Sequence, residues 1–415
     1  MHAADAARIR GAVVDLALGD PTVAARGMDA LASGSPQDWE TAVSLAAAWG
    51  VLYPVRRHLD ETRMTPASRT ALHQAVLALA ARSTFILHRS VAALRILTTE
   101  EVPYVAIKGV GLIAALDRPP ATRATGDLDI IVREGDAEKA RRVLMAAGFE
   151  EINPEFEQHM SDITLSSQLH NYARALRRDD FEVDLHWRMG LHPPAALAAG
   201  RLIDRAIGAR AARQTIVVAD PVDGVLINVH HALRGSFDLH NTVRDLCDLR
   251  LWWEHGPIAG RLDETIAEAV QSDLAPALLA LWKTILGRDP AHGVRTGVER
   301  LETALTPQQR AESALMLQYV EEQIRHGRAA KFTLDLFNPQ LYIREVFGKL
   351  ARSVTGSARA ADAVPASAAY REEHRPLMVR LADFLPRAWR VLSEVGRAGA
   401  VPAYRAVARA QRRFH

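Results

Sequence analysis

Over the first quarter of the chain, apolar residues recur every three or four positions, from "DWETAVSLAAAWGVLYPVRRHL" through "TPASRTALHQAVLALAARSTFILHRSVAALRIL", a spacing that predicts helices. Thr65 and Pro66 supply an N-cap and a first-turn residue for the second helix, which runs to about Leu97. The period then shortens. "VPYVAIKG" and "DLDIIV" are strand-length β-branched runs, with a short helix candidate, "VGLIAAL", between them. "GDAEKARRVLMAAGF" returns to helical spacing, opening at Asp136 and stopping at Gly148. "LHNYARAL" and "FEVDLHW", separated by the polar "RRDD", predict a hairpin. After about residue 190 the pattern is helical again, in "DGVLINVHHALRG", "TVRDLCDLRLWWEHG" and "APALLALWKTILG".

An island of strands between two helical regions predicts an α+β fold: a small mixed β-sheet flanked by N- and C-terminal α-helical regions. The expected layout is an N-terminal helical region over 1–98, a sheet core over 99–190 and a helical domain over 191–350. The small, polar, Pro-containing stretch at 351–375 reads as a linker or loop, before a C-terminal helix and basic tail over 376–415. No internal repeat is visible.

Composition narrows the classes of function. The chain has 415 residues, 48% of them hydrophobic, enough for two or three domains with a substantial core. Lys and Arg number 51 against 49 Asp and Glu, so no global basic field points to nucleic acid, which becomes the disfavoured partner. The single cysteine, Cys247, excludes an intramolecular disulfide and any cysteine-cluster metal site. No run of consecutive apolar residues approaches the roughly 20 that span a bilayer, and the first residues lack a signal peptide's apolar stretch. No membrane partner and a cytoplasmic location are the expectations.

The candidate chemistry lies in the island. Along "DLDIIV", strand alternation puts Asp127, Asp129 and Ile131 on one face and Leu128, Ile130 and Val132 on the other. Carboxylates held that close raise each other's pKa unless a cation sits between them, and Mg²⁺ is the usual partner for oxygen ligands. A third acid, Asp184, lies on a later strand where Phe181, Val183, Leu185 and Trp187 alternate with Glu182, Asp184 and His186. A sheet that gathers Asp127, Asp129 and Asp184 suits two Mg²⁺ ions about 4 Å apart, the arrangement for in-line phosphoryl or nucleotidyl transfer. A lone Asp-X-Asp is common on solvated loops; this one is embedded in an apolar strand with a glycine turn upstream. There, Gly109 and Gly111 end a strand and open a helix whose backbone N–H groups would cradle phosphate, Lys108 adds a point charge, and Arg123 is in range of the same triphosphate. The plainer alternatives are a simple turn for the glycines and a loop-bracing role for Arg123.

At these residues the sequence resembles the DNA polymerase beta-like nucleotidyltransferases, and within them the bacterial family of uncharacterised nucleotidyltransferases. The stretches that carry the likeness are "AIKGVGLIAAL", "RATGDLDIIV" from Arg123 to Val132 and "VDLHWR" from Val183 to Arg188, with "AWGVLYPV" and "LINVHHALRGSFDLHNTVRDLCDL" on the flanks. The resemblance runs from about residue 38 to 260. It implies a small mixed sheet binding an NTP, ATP favoured, with Mg²⁺, Asp127 and Asp129 as metal ligands, and Asp184 completing the site and helping to deprotonate an acceptor hydroxyl. The acceptor it implies is a peptide, protein or small molecule; relatives often lie near genes for modified-peptide biosynthesis, so peptide-tailoring phosphoryl transfer is the alternative. A non-catalytic nucleotide-binding scaffold and transfer to tRNA ends are two further options. In one respect the sequence departs from the superfamily's pattern: Val110, not Ser, follows Gly109, which leaves phosphate grip to backbone N–H groups, Lys108 and Arg123.

Other polar residues have structural explanations at least as good as functional ones. His186 shares the face of Asp184, to orient the base or touch phosphate, or simply to hydrogen-bond at the sheet. His230, His231 and His240 form no fixed ligand pattern for zinc. His170 and Tyr172 alternate on the neighbouring strand and suit cross-strand packing. Arg244, Asp245 and Asp248 are expected in surface or interdomain salt bridges, and Trp252 and Trp253 in the core. The tail arginines Arg409, Arg412 and Arg413 read as solvated.

Overall fold

The computed structural model describes residues 3–152, 173–189, 193–234 and 239–326, all within one compact unit. His170, Tyr172, the stretch 351–375, the helix expected after it and the tail arginines lie outside the described residues.

The N-terminal helices are α1 (Ala3–Leu18), α2 (Pro21–Ala32), α3 (Pro36–Ala48), α4 (Leu52–Arg56) and α5 (Pro66–Thr99). α5 starts as its sequence dictates: the Thr65 hydroxyl accepts the Ser68 N–H, and Pro66 occupies the first turn where no intrahelical donor is needed. By length and composition α5 also holds an 18-residue window apolar enough to cross a membrane, mean hydropathy 1.2. A count of consecutive apolar residues misses this, because interspersed Arg, His and Ser break the run without lowering the average. Its C-terminal half buries Leu87, Val91, Leu94 and Leu97 against the sheet.

The remaining elements are β1 (Tyr104–Ala106), α6 (Lys108–Ala115), β2 (Leu128–Val132), α7 (Ala137–Ala146), β3 (Glu150–Glu151), β4 (Ala173–Arg178) and β5 (Phe181–His186). After them come α8 (Ala199–Arg205), β6 (Ile207–Ala211), β7 (Gln214–Val218), α9 (Pro221–Arg234) and α10 (Leu239–His255). Four more helices follow: α11 (Leu262–Gln271), α12 (Ala275–Leu286), α13 (Val294–Ala304) and α14 (Pro307–His326).

The strands form one seven-stranded mixed sheet in the order β3-β4-β5-β2-β1-β7-β6. The α+β architecture with helical regions on both sides of the core is as expected, and the β4–β5 hairpin falls where "RRDD" predicts its turn. The sheet is larger than expected, because β6 and β7 occupy a stretch assigned to helix. They form an antiparallel hairpin, and β7 joins β1 in parallel through Ala106 and Val218.

Candidate active site

The site follows from the pairing of β2 with β5. These strands run parallel in a register that sets Leu128 against Val183, Asp129 against Asp184, Ile130 against Leu185 and Ile131 against His186. Strand alternation then separates two faces. Leu128, Ile130, Val183 and Leu185 are fully buried in the core with α5 and α7, while Asp129, Asp184 and His186 stand together on the other side. One ligand atom from each of these three lies within 4.8 Å of the other two.

Asp129 is the pivot of the group. Lys108 Nζ lies 2.7 Å from Asp129 Oδ1, and His186 Nε2 lies 3.2 Å from the same oxygen. Burial opposes ionisation of Asp129, but Lys108 and His186 outweigh it and hold its carboxyl far below the usual range. Asp184 has no such partner among the described residues: burial, then the nearby charges of Asp129 and Asp127, push it up to about 7 against the pull of Lys108. Asp127 is likewise raised, by burial and by Asp129, against the pull of Lys108, Arg123 and Arg244.

The lysine that bonds Asp129 also has an uncommon backbone conformation. Lys108 opens α6 with φ +50, the left-handed region that costs a non-glycine residue about 1–3 kcal/mol and that persists where surrounding structure demands it. The glycines behind it serve packing. A Cβ on Gly111 would lie 2.4 Å from the Ala106 carbonyl oxygen, and one on Gly109 would lie 2.5 Å from Arg123 Nη1. Both are buried in α6, so their lack of a side chain lets the helix lie against the end of β1 and against Arg123.

Three expectations change here. Arg123, expected at the triphosphate, is buried and held by Asp248 of α10, with Nη2 donating to Oδ2 at 3.1 Å and Nε to Oδ1 at 3.2 Å. Burial alone would favour loss of its proton, but the Asp248 carboxylate outweighs that and raises its pKa. Asn228 Nδ2 donates to Asp248 at 3.3 Å while its oxygen accepts from Trp252 Nε1 at 3.1 Å, so the arginine ties the loop before β2 to α9 and α10. Asp248 and Asp245, expected in surface or interdomain salt bridges, make theirs while buried; Asp245 accepts from His231, with Nδ1 to Oδ2 at 2.9 Å. Asp127, expected to ligate metal together with Asp129 and with Asp184 completing the site, lies outside the three-residue cluster. It precedes the first residue of β2 and lines an open cleft of about 430 Å³ with Arg82, Arg177 and Glu182.

His186 takes the place in the cluster that was expected of Asp127. The alternation of "FEVDLHW" placed it on the right face, but only the cross-strand register brings it onto Asp129. The same alternation carries Glu182, whose charge also raises Asp184 and whose partner is Arg177 at 3.1 Å. His230 and His231 point to different partners, the Met189 carbonyl and Asp245.

This donor set suits a divalent cation. Two carboxylates and an imidazole converge, and the raised Asp184 marks negative charge that Lys108 alone leaves uncompensated. No curated protein and no solved structure matches the chain. A family model described as "uncharacterised nucleotidyltransferase" matches residues 35–284, a span that contains the sheet, Lys108 and all three aspartates. With more than half of its length matched, the chain belongs to this family of transferases of nucleotidyl groups.

Proposed function

We propose that the acid face is the centre of a Mg²⁺-dependent transfer of an NMP from an NTP, with ATP the favoured donor, to a hydroxyl of a peptide, protein or small molecule. The observation that carries this reading is the register that sets Asp129 opposite Asp184, with His186 beside them, in a chain of a nucleotidyltransferase family. A divalent cation held by Asp129, Asp184 and His186 would supply charge neutralisation at the α-phosphate. Asp129, kept ionised by Lys108, is the permanent anion of the site. Asp184, opposite Asp129 in the strand register, would receive the proton of an acceptor hydroxyl.

Lys108 favours a second reading as well. Its ammonium already sits on Asp129, so a lysine standing in for the metal would make the chain a nucleotide-binding scaffold. Purified protein given Mg²⁺, a cell lysate as acceptor source, and α- or γ-labelled ATP, GTP, CTP and UTP separates the two. Product carrying α-label with the wild type and none with Asp129→Asn is the expected result. Label from the γ-phosphate alone would establish phosphoryl transfer instead, and equal labelling by the variant would remove Asp129 from the chemistry.

A further inference from the structure

Arg123 and Thr122 line a second cavity, closed on its other sides by Tyr53 and Pro54 of α4 and by Arg244 and Asp248 of α10. Its volume is about 30 Å³, roughly twice the least that holds one water. That is room for a single tetrahedral oxyanion and none for a nucleobase. Four guanidiniums line it, from Arg57, Arg123, Arg244 and Arg250, against two carboxylates, Asp248 and Glu254. Both carboxylates are engaged: Asp248 by Arg123 and Asn228, and Glu254 by Arg250 at 2.6 Å and His292 at 3.4 Å.

Two donors are left over. Arg244 has no carboxylate partner among the described residues; its Nη2 donates to Asn241 Oδ1 at 2.5 Å, and its Nε is buried without a hydrogen bond. Thr122, 2% exposed, has a buried hydroxyl with no partner among the described residues. Each unmet buried donor is a cost that an acceptor-rich anion in the cavity would remove. The local field agrees: burial, Arg250 and Arg57 hold His58 below the usual histidine range.

We infer that this cavity binds one phosphate-class oxyanion, with Thr122 and Arg244 as its donors, and that during transfer it docks a phosphate of a substrate beside the acid face. The first half stands on the cavity alone, and the second rests on the transfer reading. The link is Arg123, which lines the cavity and lies against Gly109, the neighbour of the Lys108 that bonds Asp129. The phosphate belongs either to the nucleotide donor or to an acceptor that carries one.

Calorimetric titration of inorganic phosphate into the full chain, free of divalent metal and nucleotide, tests the first half without any turnover. One site is expected, weakened about tenfold or more in Arg244→Gln and in Thr122→Val. Thr122→Val exchanges a hydroxyl for a methyl of similar shape, so it keeps or raises the melting temperature and carries the test alone if the arginine variant does not fold. No binding by the wild type, or wild-type affinity in Thr122→Val, overturns the inference. Displacement of phosphate by saturating ATP assigns the cavity to the donor. Displacement by a phosphomonoester such as O-phosphoserine while ATP stays bound assigns it to the acceptor. Phosphate binding in a protein that binds no nucleotide upholds the cavity and overturns its role in transfer.

Discussion

Strands β2 and β5 present two faces that differ by one step along the chain. On one, Leu128, Ile130, Val183 and Leu185 are removed from water against α5 and α7; on the other, Asp129 and Asp184 crowd two carboxylates beside a histidine. The first face lowers the free energy of folding by apolar burial, and the second raises it by desolvating like charges. The comparison teaches that the acid face is not there for stability. It is carried by the strength of its reverse side, and substitutions on the two faces are expected to fail in different assays.

The largest effect is expected from Asp184→Asn. Transfer activity should fall at least about 10³-fold, some 4 kcal/mol of transition-state stabilisation, while thermal melting shows a protein as stable as the wild type or more so. On the opposite face, Leu185→Ala should cost about 3 kcal/mol in denaturant unfolding, with surviving folded protein retaining its turnover. A shared loss of both properties in either variant would break the distinction between the faces.

A pH experiment sharpens it further. Asp184 is raised to about 7 in the folded protein, so the folded state binds more protons than the unfolded one between the ordinary carboxylate range and neutrality. Metal-free protein should therefore lose stability as pH rises from about 4 toward 7, by on the order of 2 kcal/mol once screening is allowed for. Asp184→Asn should flatten that slope, and Mg²⁺ should reverse it. Melting curves across the range, with and without the ion, give the answer. Glu254 has the opposite sign. Burial disfavours its charge, but His292 and Arg250 outweigh burial and lower it to about 2, so its contribution is complete above the unfolded pKa near 4.5 and fades as pH falls toward 2. Glu254→Gln should cost about 1 kcal/mol at pH 7 and only about a quarter of that at pH 2.5, measured by urea unfolding.

Much of this was legible in the sequence, and the rest was hidden for definite reasons. β2, β5 and the start of α5 announce themselves through alternation and the Thr65–Pro66 pair, which are local signals. The β6–β7 hairpin gives no such signal: its turn is Ala212–Arg213, both at positive φ, in place of the Asn-Gly or Asp-Gly that marks this geometry. Arg123 reads as a phosphate ligand because its partner, Asp248, lies 125 positions further on. Nor does spacing within one strand tell which acid meets His186. Asp129 does so, and Asp127 does not, because the β2–β5 register and the cleft before β2 are tertiary facts.

The parallel pairing of β2 with β5 also bears on how the chain reaches its native state. Antiparallel neighbours such as β1 and β2, or β4 and β5, close over short stretches of chain, whereas β2 and β5 meet only after the intervening α7, β3 and β4 have been accommodated. Contact order makes that closure one of the slow steps. Asp129 and Asp184 therefore stay apart in early folding, and their mutual repulsion arises only once Leu128, Ile130, Val183 and Leu185 have a core to join. In kinetic terms the acid face belongs to the unfolding side of the barrier: neutralising it should slow the escape from the native state and leave the rate of reaching it nearly unchanged.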